Sequence, residues 1–134
     1  RPGWRLPRPI RRLWDRDAVT IDEPTRRRVE RAASAALDKK AVDVVALDVS
    51  DHLALTDVFL ICSGTNERQV DAIVDGIEDA LQDPPVRREG KGHGRWVLLD
   101  FGDIVVHVQH SEERSFYDLE RLWKDCPRIE VPDA

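Results

Sequence analysis

A short run from Asp57 to Cys62, apolar at every position after the first, constrains the fold more than any other segment. Apolar runs of this length are typical of strands that are buried on both faces of a sheet. The segment Ser63–Asn66 interrupts the run, and Asn66 with Gln69 has the spacing of a capping box at a helix start. Apolar side chains then recur at helical spacing, at Val70, Ile73, Val74, Ile77 and Leu81. A buried strand that leads into an amphipathic helix predicts helices packed on a sheet.

The remaining segments alternate between helix and strand patterns. Asp22 followed by Pro24 indicates a helix start, and an apolar stripe continues to about Lys40. Strands are predicted over residues 42–49, 86–88, 95–101 and 104–109, with a hairpin turn at Gly102-Asp103. A last helix is predicted over residues 112–123, and an irregular tail follows from Cys126. This order predicts a single-domain α/β fold with one mixed β-sheet flanked by helices.

Size and composition exclude several classes of protein. A chain of 134 residues predicts one domain, and no apolar run approaches the roughly 18 residues that a membrane helix needs. Two cysteines are too few for a disulfide framework, so we expect a reduced compartment such as the cytoplasm. The net charge of -5 argues against sequence-specific binding of nucleic acid.

The charge is distributed unevenly along the chain. Residues 1–40 hold 12 Lys/Arg and 6 Asp/Glu, whereas residues 41–134 hold 9 and 20. The acidic part suits a basic protein partner, although acids that only solvate the surface give the same pattern. Residues 1–16 show neither helical nor strand periodicity, and we expect a basic, flexible extension over residues 1–23. The domain itself is expected over residues 24–127, with a C-terminal tail over 128–134.

Candidate chemistry is sparse. The loop Ser63–Asn66 lacks the glycines and lysine of a phosphate-binding loop. A strand followed by Ser-Gly is loosely similar to nucleotidyltransferases, but Asp100 and Asp103 flank a turn instead of sharing a strand. Cys62 is expected to be an inert packing residue. The sequence therefore predicts no catalytic residue, no metal site and no cofactor.

Aromatic and acidic residues concentrate in the C-terminal third. Trp96, Leu98 and Asp100 share one face of their predicted strand because side chains alternate along a strand. His107, Tyr117, Glu120 and Trp123 follow. Aromatics beside acids, without a catalytic constellation, indicate an interface, although tryptophans that fill the core produce the same pattern. The residues alone leave these two interpretations open.

Five segments resemble the ribosomal silencing factor family, also called RsfS or Iojap, in their order and spacing. The longest are Leu55–Thr65, Gly94–Val108 with its Trp…Asp-x-Gly-Asp-x-x-x-His pattern, and Phe116–Trp123 with Tyr-x-Leu-Glu-x-Leu-Trp. Asp48–Ser50 and Arg68–Val70 are the shorter ones. The resemblance covers about residues 24–127.

This resemblance implies a fold and a function. Family members have a nucleotidyltransferase-like topology without the catalytic carboxylates, and they bind the large ribosomal subunit through its protein number fourteen. That protein lies on the face that meets the small subunit, so a bound member blocks subunit joining and represses translation. At family-like positions, we expect apolar contacts from Trp96, Leu98, Tyr117 and Leu119, and polar contacts from Asp100, His107 and Glu120.

Alternatives stay open beside this interpretation. The chain could be a nucleotide-binding transferase that uses Ser63, Gly64 and Asp100, or an acidic adaptor for several basic partners. The sequence also leaves open whether the chain forms a homodimer and whether Trp123 belongs to the core or to the interface.

Overall fold

A computed structural model describes residues 21–90 and 94–131 of the chain, without the side chains of Phe116 and Tyr117. Most of the predicted N-terminal extension and residues 91–93, between Gly90 and Gly94, lie outside the described residues. No helix in the described ranges is both long and apolar enough to cross a membrane.

Helices and strands alternate much as the sequence predicts. The first half of the chain holds helix α1 (Glu23–Asp38), strands β1 (Val42–Asp48) and β2 (Val58–Gly64), and helix α2 (Glu67–Leu81). The second half holds strands β3 (Arg87–Glu89), β4 (Trp96–Asp100) and β5 (Ile104–His110), helices α3 (Ser111–Tyr117) and α4 (Leu119–Leu122), and strand β6 (Arg128–Ile129). The predicted single-domain α/β class is confirmed.

The six strands form one mixed sheet in the order β3-β4-β5-β2-β1-β6. β2 and β5 are parallel neighbours at its centre, and the other neighbouring pairs are antiparallel. The β4–β5 hairpin turns at Gly102, whose φ of 89° is a left-handed conformation that glycine adopts without strain. The hairpin places β4 beside the buried centre of the sheet.

The ends of α1 and α2 show how local sequence directs the fold. The Asp22 side chain accepts a hydrogen bond from the Thr25 N–H over 2.9 Å, and Asn66 accepts one from the Gln69 N–H over 2.8 Å. The capping box is only half formed, because Oε1 of Gln69 accepts from the Thr65 N–H instead of that of Asn66. The amide Nε2 of Gln69 donates to the carbonyl of Lys40 over 2.8 Å. Gln69 therefore joins the end of α1 to the start of α2.

The two faces of the sheet are covered differently. α1 and α2 pack on one face, where the main core contains Val29, Ala32, Leu60, Ile73, Ile77, Leu99 and Val106, among others. On the opposite face, a smaller apolar cluster covers β1 and β2, formed by Leu47, Val49, Ile61 and Cys126 with the partly buried Leu53, Phe59, Leu119 and Trp123. On this second face, the surface formed by β4 and β5 lies beside the smaller apolar cluster.

The C-terminal region differs from the sequence prediction in three ways. Asp118 adopts a left-handed conformation (φ 37°, ψ 61°) and splits the predicted helix into α3 and α4. Aspartate is one of the non-glycine residues that are enriched in this region. Leu122, which has helical spacing from Leu119 in the predicted last helix, is 75% exposed. The tail also contributes β6, which pairs with Ala46 and Leu47 of β1. A two-residue strand has no detectable periodicity, so its existence depends on the neighbouring strand.

Candidate functional site

The second face of the sheet carries half-buried side chains where β4 and β5 meet. Along β4, Trp96, Leu98 and Asp100 are partly exposed and alternate with two buried residues that point to the main core. The shared face predicted for these three residues is confirmed. We call the surface formed by Trp96, Leu98 and Asp100 of β4 the open face. Opposite them in the ladder, on the same side of the sheet, lie the buried Val105, His107 and Gln109 of β5.

His107 supports the open face from below. It lies opposite Leu98 in the β4–β5 ladder and is 6% exposed. The indole Nε1 of Trp96 donates a hydrogen bond to Nδ1 of His107 over 3.3 Å. Burial lowers the pKa of His107 to about 4, from an ordinary value of 6.5. The imidazole is therefore neutral at pH 7, with its proton on Nε2.

An aromatic row extends from the open face across the sheet. The His107 ring lies 6.1 Å from Trp96 and 5.2 Å from Phe59 on β2. Phe59 lies 5.2 Å from Trp123, which lies 6.0 Å from the exposed His52. Three of these four contacts are edge-to-face, a favourable geometry for aromatic pairs. Trp123 is half-buried in this row and packs against the small apolar cluster.

Asp100 has a local structural task in addition to its place on the open face. Its Oδ1 accepts a hydrogen bond from the Gly102 N–H over 2.8 Å, which closes the hairpin turn. Its neighbour in the motif, Asp103, instead binds Arg28 of α1 over 3.1 Å on the far side of the turn. The two carboxylates therefore take different partners.

The other predicted contact residues lie along the C-terminal helices. Leu119 is half-buried against the small apolar cluster, and Glu120 is half-buried in an ion pair with Arg114. The side chain of Tyr117 lies outside the described residues. Sequence reasoning missed Arg114, because an arginine in a charged helical segment has the pattern of a solvated residue. In the structure, Arg114 is 8% exposed and also donates to Ser63 Oγ over 2.9 Å.

The geometry does not support a transferase site built from Ser63, Gly64 and Asp100. In the strand ladders, Ser63 lies level with Gln109 of β5, whereas Asp100 lies level with Val105. Four residues of strand separate the two levels by about 13 Å. The loop after Ser63 is also occupied, since the Gly64 carbonyl accepts from Ser111 Oγ and the Thr65 N–H bonds Gln69.

The titratable residues of the described ranges do not converge on a metal. Among residues 21–90 and 94–131, no group of three or more His, Cys, Asp or Glu side chains could hold a metal ion. His107 and His110 diverge, since Nδ1 of His110 accepts from the Glu112 N–H at the start of α3. Cys62 is fully buried, and burial raises its pKa to about 12, in agreement with the expected packing role.

Known proteins resemble this chain over nearly all of the described domain. Residues 22–134 match the family model "Ribosomal silencing factor during starvation". A ribosomal silencing factor RsfS from Bacillus subtilis is 46% identical over 103 residues, or 75% of this chain and 87% of the relative. A ribosomal silencing factor RsfS from Halalkalibacterium halodurans is 44% identical over 106 residues, which cover 77% of this chain and 91% of the relative. A crystal structure from Chromobacterium violaceum has a TM-score of 0.70 at 33% identity and covers 80% of this chain and 88% of that chain.

These matches confirm the resemblance inferred from the motifs, and they extend across the sheet that carries the open face. The chain therefore belongs to the ribosomal silencing factor family.

Proposed function

We propose that the chain binds the large ribosomal subunit through its protein number fourteen and thereby blocks joining of the small subunit. The observation that carries the proposal is the open face, where Trp96 and Leu98 stand half-buried on a rigid sheet beside the carboxylate of Asp100. Large aromatic side chains in such positions dominate the affinity of protein interfaces.

Electrostatics supports a basic protein as the partner. The net charge of the chain is -5. Residues 41–134 hold 20 Asp/Glu and 9 Lys/Arg. Ribosomal proteins are generally basic, so opposite charge would accelerate encounter and orient the two surfaces. The same charge would repel the phosphate backbone of ribosomal RNA. This favours a protein contact as the main source of affinity.

The proposed repression is steric and requires no reaction. A domain seated on a protein of the subunit-joining face would occupy volume that the small subunit needs. Affinity would come from burying Trp96 and Leu98, while Asp100 would contribute a polar contact at the edge. Leu119, Glu120, His107 and Tyr117 are proposed to contribute directly or by supporting these side chains.

Sedimentation of separated ribosomal subunits under joining conditions tests this proposal. With the protein present, we expect it to travel with the large subunit and the joined peak to fall. A large subunit depleted of protein number fourteen is the control, and it should lose binding. Equal binding to that depleted subunit would exclude the proposed contact.

A competition measurement separates a dedicated ribosome site from the acidic-adaptor alternative. Unrelated basic proteins at physiological salt should not displace the chain from the large subunit. If they displace it in proportion to their charge, the acidic surface acts without a specific partner.

A further inference from the structure

Among the described residues, Arg114 is the one buried lysine or arginine, and the proposed contacts leave it unused. Arg114 is 8% exposed, and its guanidinium connects two parts of the chain. On one side, Nη1 donates to Ser63 Oγ at the end of β2 over 2.9 Å. On the other, Nε and Nη2 both reach Oε1 of Glu120 in α4, over 2.8 Å and 2.7 Å. The arginine therefore ties the sheet to α4.

The stability of helix α4 depends on contacts of this kind. It has four residues, far fewer than an isolated helix needs to be stable in water. The left-handed Asp118 separates it from α3, so it does not extend that helix. Its apolar attachment consists of Leu119 and the adjoining Trp123, which pack against the small apolar cluster. The ion pair with Arg114 is the short polar attachment, since Arg128 lies 3.8 Å from the other oxygen of Glu120.

The contacts of Glu120 argue against a carboxylate that is free to bind a partner protein. Its side chain is 24% exposed, and one carboxylate oxygen already accepts from two N–H groups of Arg114. A charge neutralised in this way at close range projects little field toward a distant surface. Its main effect is to fix the orientation of the backbone that carries Leu119 and the exposed Leu122.

We infer that Arg114 is a positioning residue for the binding surface, and that Glu120 acts on binding through Arg114. The inference rests on the proposed function, because it assigns α4 to the same surface as the open face. Arg114 holds α4 against the sheet, beside the end of the aromatic row at Trp123.

Two substitutions of Glu120 distinguish positioning from direct charge contact. The oxygen of Glu120→Gln can still accept from Arg114 but no longer opposes its charge, so we expect the Kd for the large subunit to rise less than in Glu120→Ala. Glu120→Ala removes the acceptor, and we expect binding to weaken about tenfold. Hydrogen exchange of the amides at 119–123 should accelerate more in the alanine variant than in the glutamine variant.

Glu113→Ala is the matched control. Glu113 is a glutamate on α3 whose side chain is 25% exposed and whose ion pair, over 3.0 Å, is with Arg95 and not with Arg114. We expect it to bind the large subunit like wild type and to leave exchange at 119–123 unchanged. Adding Arg114→Gln to Glu120→Ala should cause no further loss of binding, because the two residues act through one contact.

The outcomes are distinct. Equal losses in Glu120→Gln and Glu120→Ala, without faster exchange at 119–123, would show a direct charge contact and overturn the inference. Wild-type affinity in Glu120→Ala would overturn it as well, as would a further loss in the double variant. Failure of the wild-type chain to bind the large subunit would instead refute the proposed function, and the role of α4 in binding with it.

Discussion

Trp96 and His107 are joined across the β4–β5 hairpin by a hydrogen bond from the indole Nε1 to the imidazole Nδ1, 3.3 Å long. The bond satisfies the one polar atom of the indole inside the protein, so the exposed part of Trp96 is apolar. It also fixes the proton of the neutral imidazole on Nε2. A buried histidine thus orients the tryptophan that we propose as the main contact of the open face.

Truncation of this tryptophan should weaken binding without unfolding the chain. For Trp96→Ala we expect a loss of about 2 kcal/mol in binding to the large subunit, because a buried aromatic anchor is removed from the interface. Titration of labelled protein with large subunits measures the change, and circular dichroism verifies the fold. Val86→Ala is the control, since Val86 is an apolar residue outside the open face that is 81% exposed. Full affinity in a folded Trp96→Ala would remove Trp96 from the site.

The burial of His107 should make stability depend on pH. The folded imidazole titrates at about 4, and the unfolded one near 6.5. Between these values the unfolded state binds more protons, so the free energy of unfolding falls as pH decreases from 6.5 to 4, by up to about 3 kcal/mol. Urea unfolding at pH 7 and pH 4.5 measures this loss. His107→Gln should show a smaller loss than wild type.

The exposed His52 provides the control for this comparison. His52→Gln should retain the wild-type dependence on pH, because the side chain of His52 is exposed and is not desolvated by folding. If the two variants lose equal stability between pH 7 and pH 4.5, then His107 does not remain neutral in the folded protein.

The thiol of Cys62 should resist alkylation while the chain is folded. Burial raises its pKa to about 12, and the thiolate is the reactive form. We expect iodoacetamide at pH 8 to modify Cys62 at least about a hundredfold more slowly in native protein than in guanidinium chloride. Mass spectrometry of the digested protein gives both rates. Rapid labelling of Cys62 in native protein would contradict its buried position.

A glycine at the end of α2 should stabilise the domain. Gln82 is exposed and has a left-handed backbone, with φ 61° and ψ -2°. Glycine adopts this conformation without the steric cost of a Cβ atom, so Gln82→Gly should raise the free energy of unfolding by about 0.5–1 kcal/mol. Chemical denaturation measures the gain. Gln82→Ala keeps the strain and should remain close to wild type, and an equal gain there would point to a different cause.

Much of the fold was predictable because its patterns are local. The apolar run before Ser63, the spacing from Val70 to Leu81 and the Asp22 cap each report on their own segment, and each element forms where predicted. The split at Asp118 was not predictable, because the spacing of Leu119 and Leu122 suits a continuous helix equally well. The structure separates these two leucines, since only Leu119 packs against the sheet.

The candidate site was predictable only in part. Strand alternation placed Trp96, Leu98 and Asp100 on one face, and the structure confirms that placement. The importance of Arg114 was not visible, because its partners Ser63 and Glu120 come from different parts of the chain. Phe59 was predicted as part of a buried strand, and its contacts with His107 and Trp123 appear only when the strands are aligned.

The sequence alone determined the order of the elements, the capped helix starts, the alternating face of β4 and the family to which the chain belongs. These properties depend on residues that are near one another in the chain or on motifs read in order. The tertiary structure decided which face of the sheet α1 and α2 cover, and it left Trp96 half-exposed. It also brought Arg114 between β2 and α4. Contacts between distant segments depend on strand order and register, which no local pattern encodes.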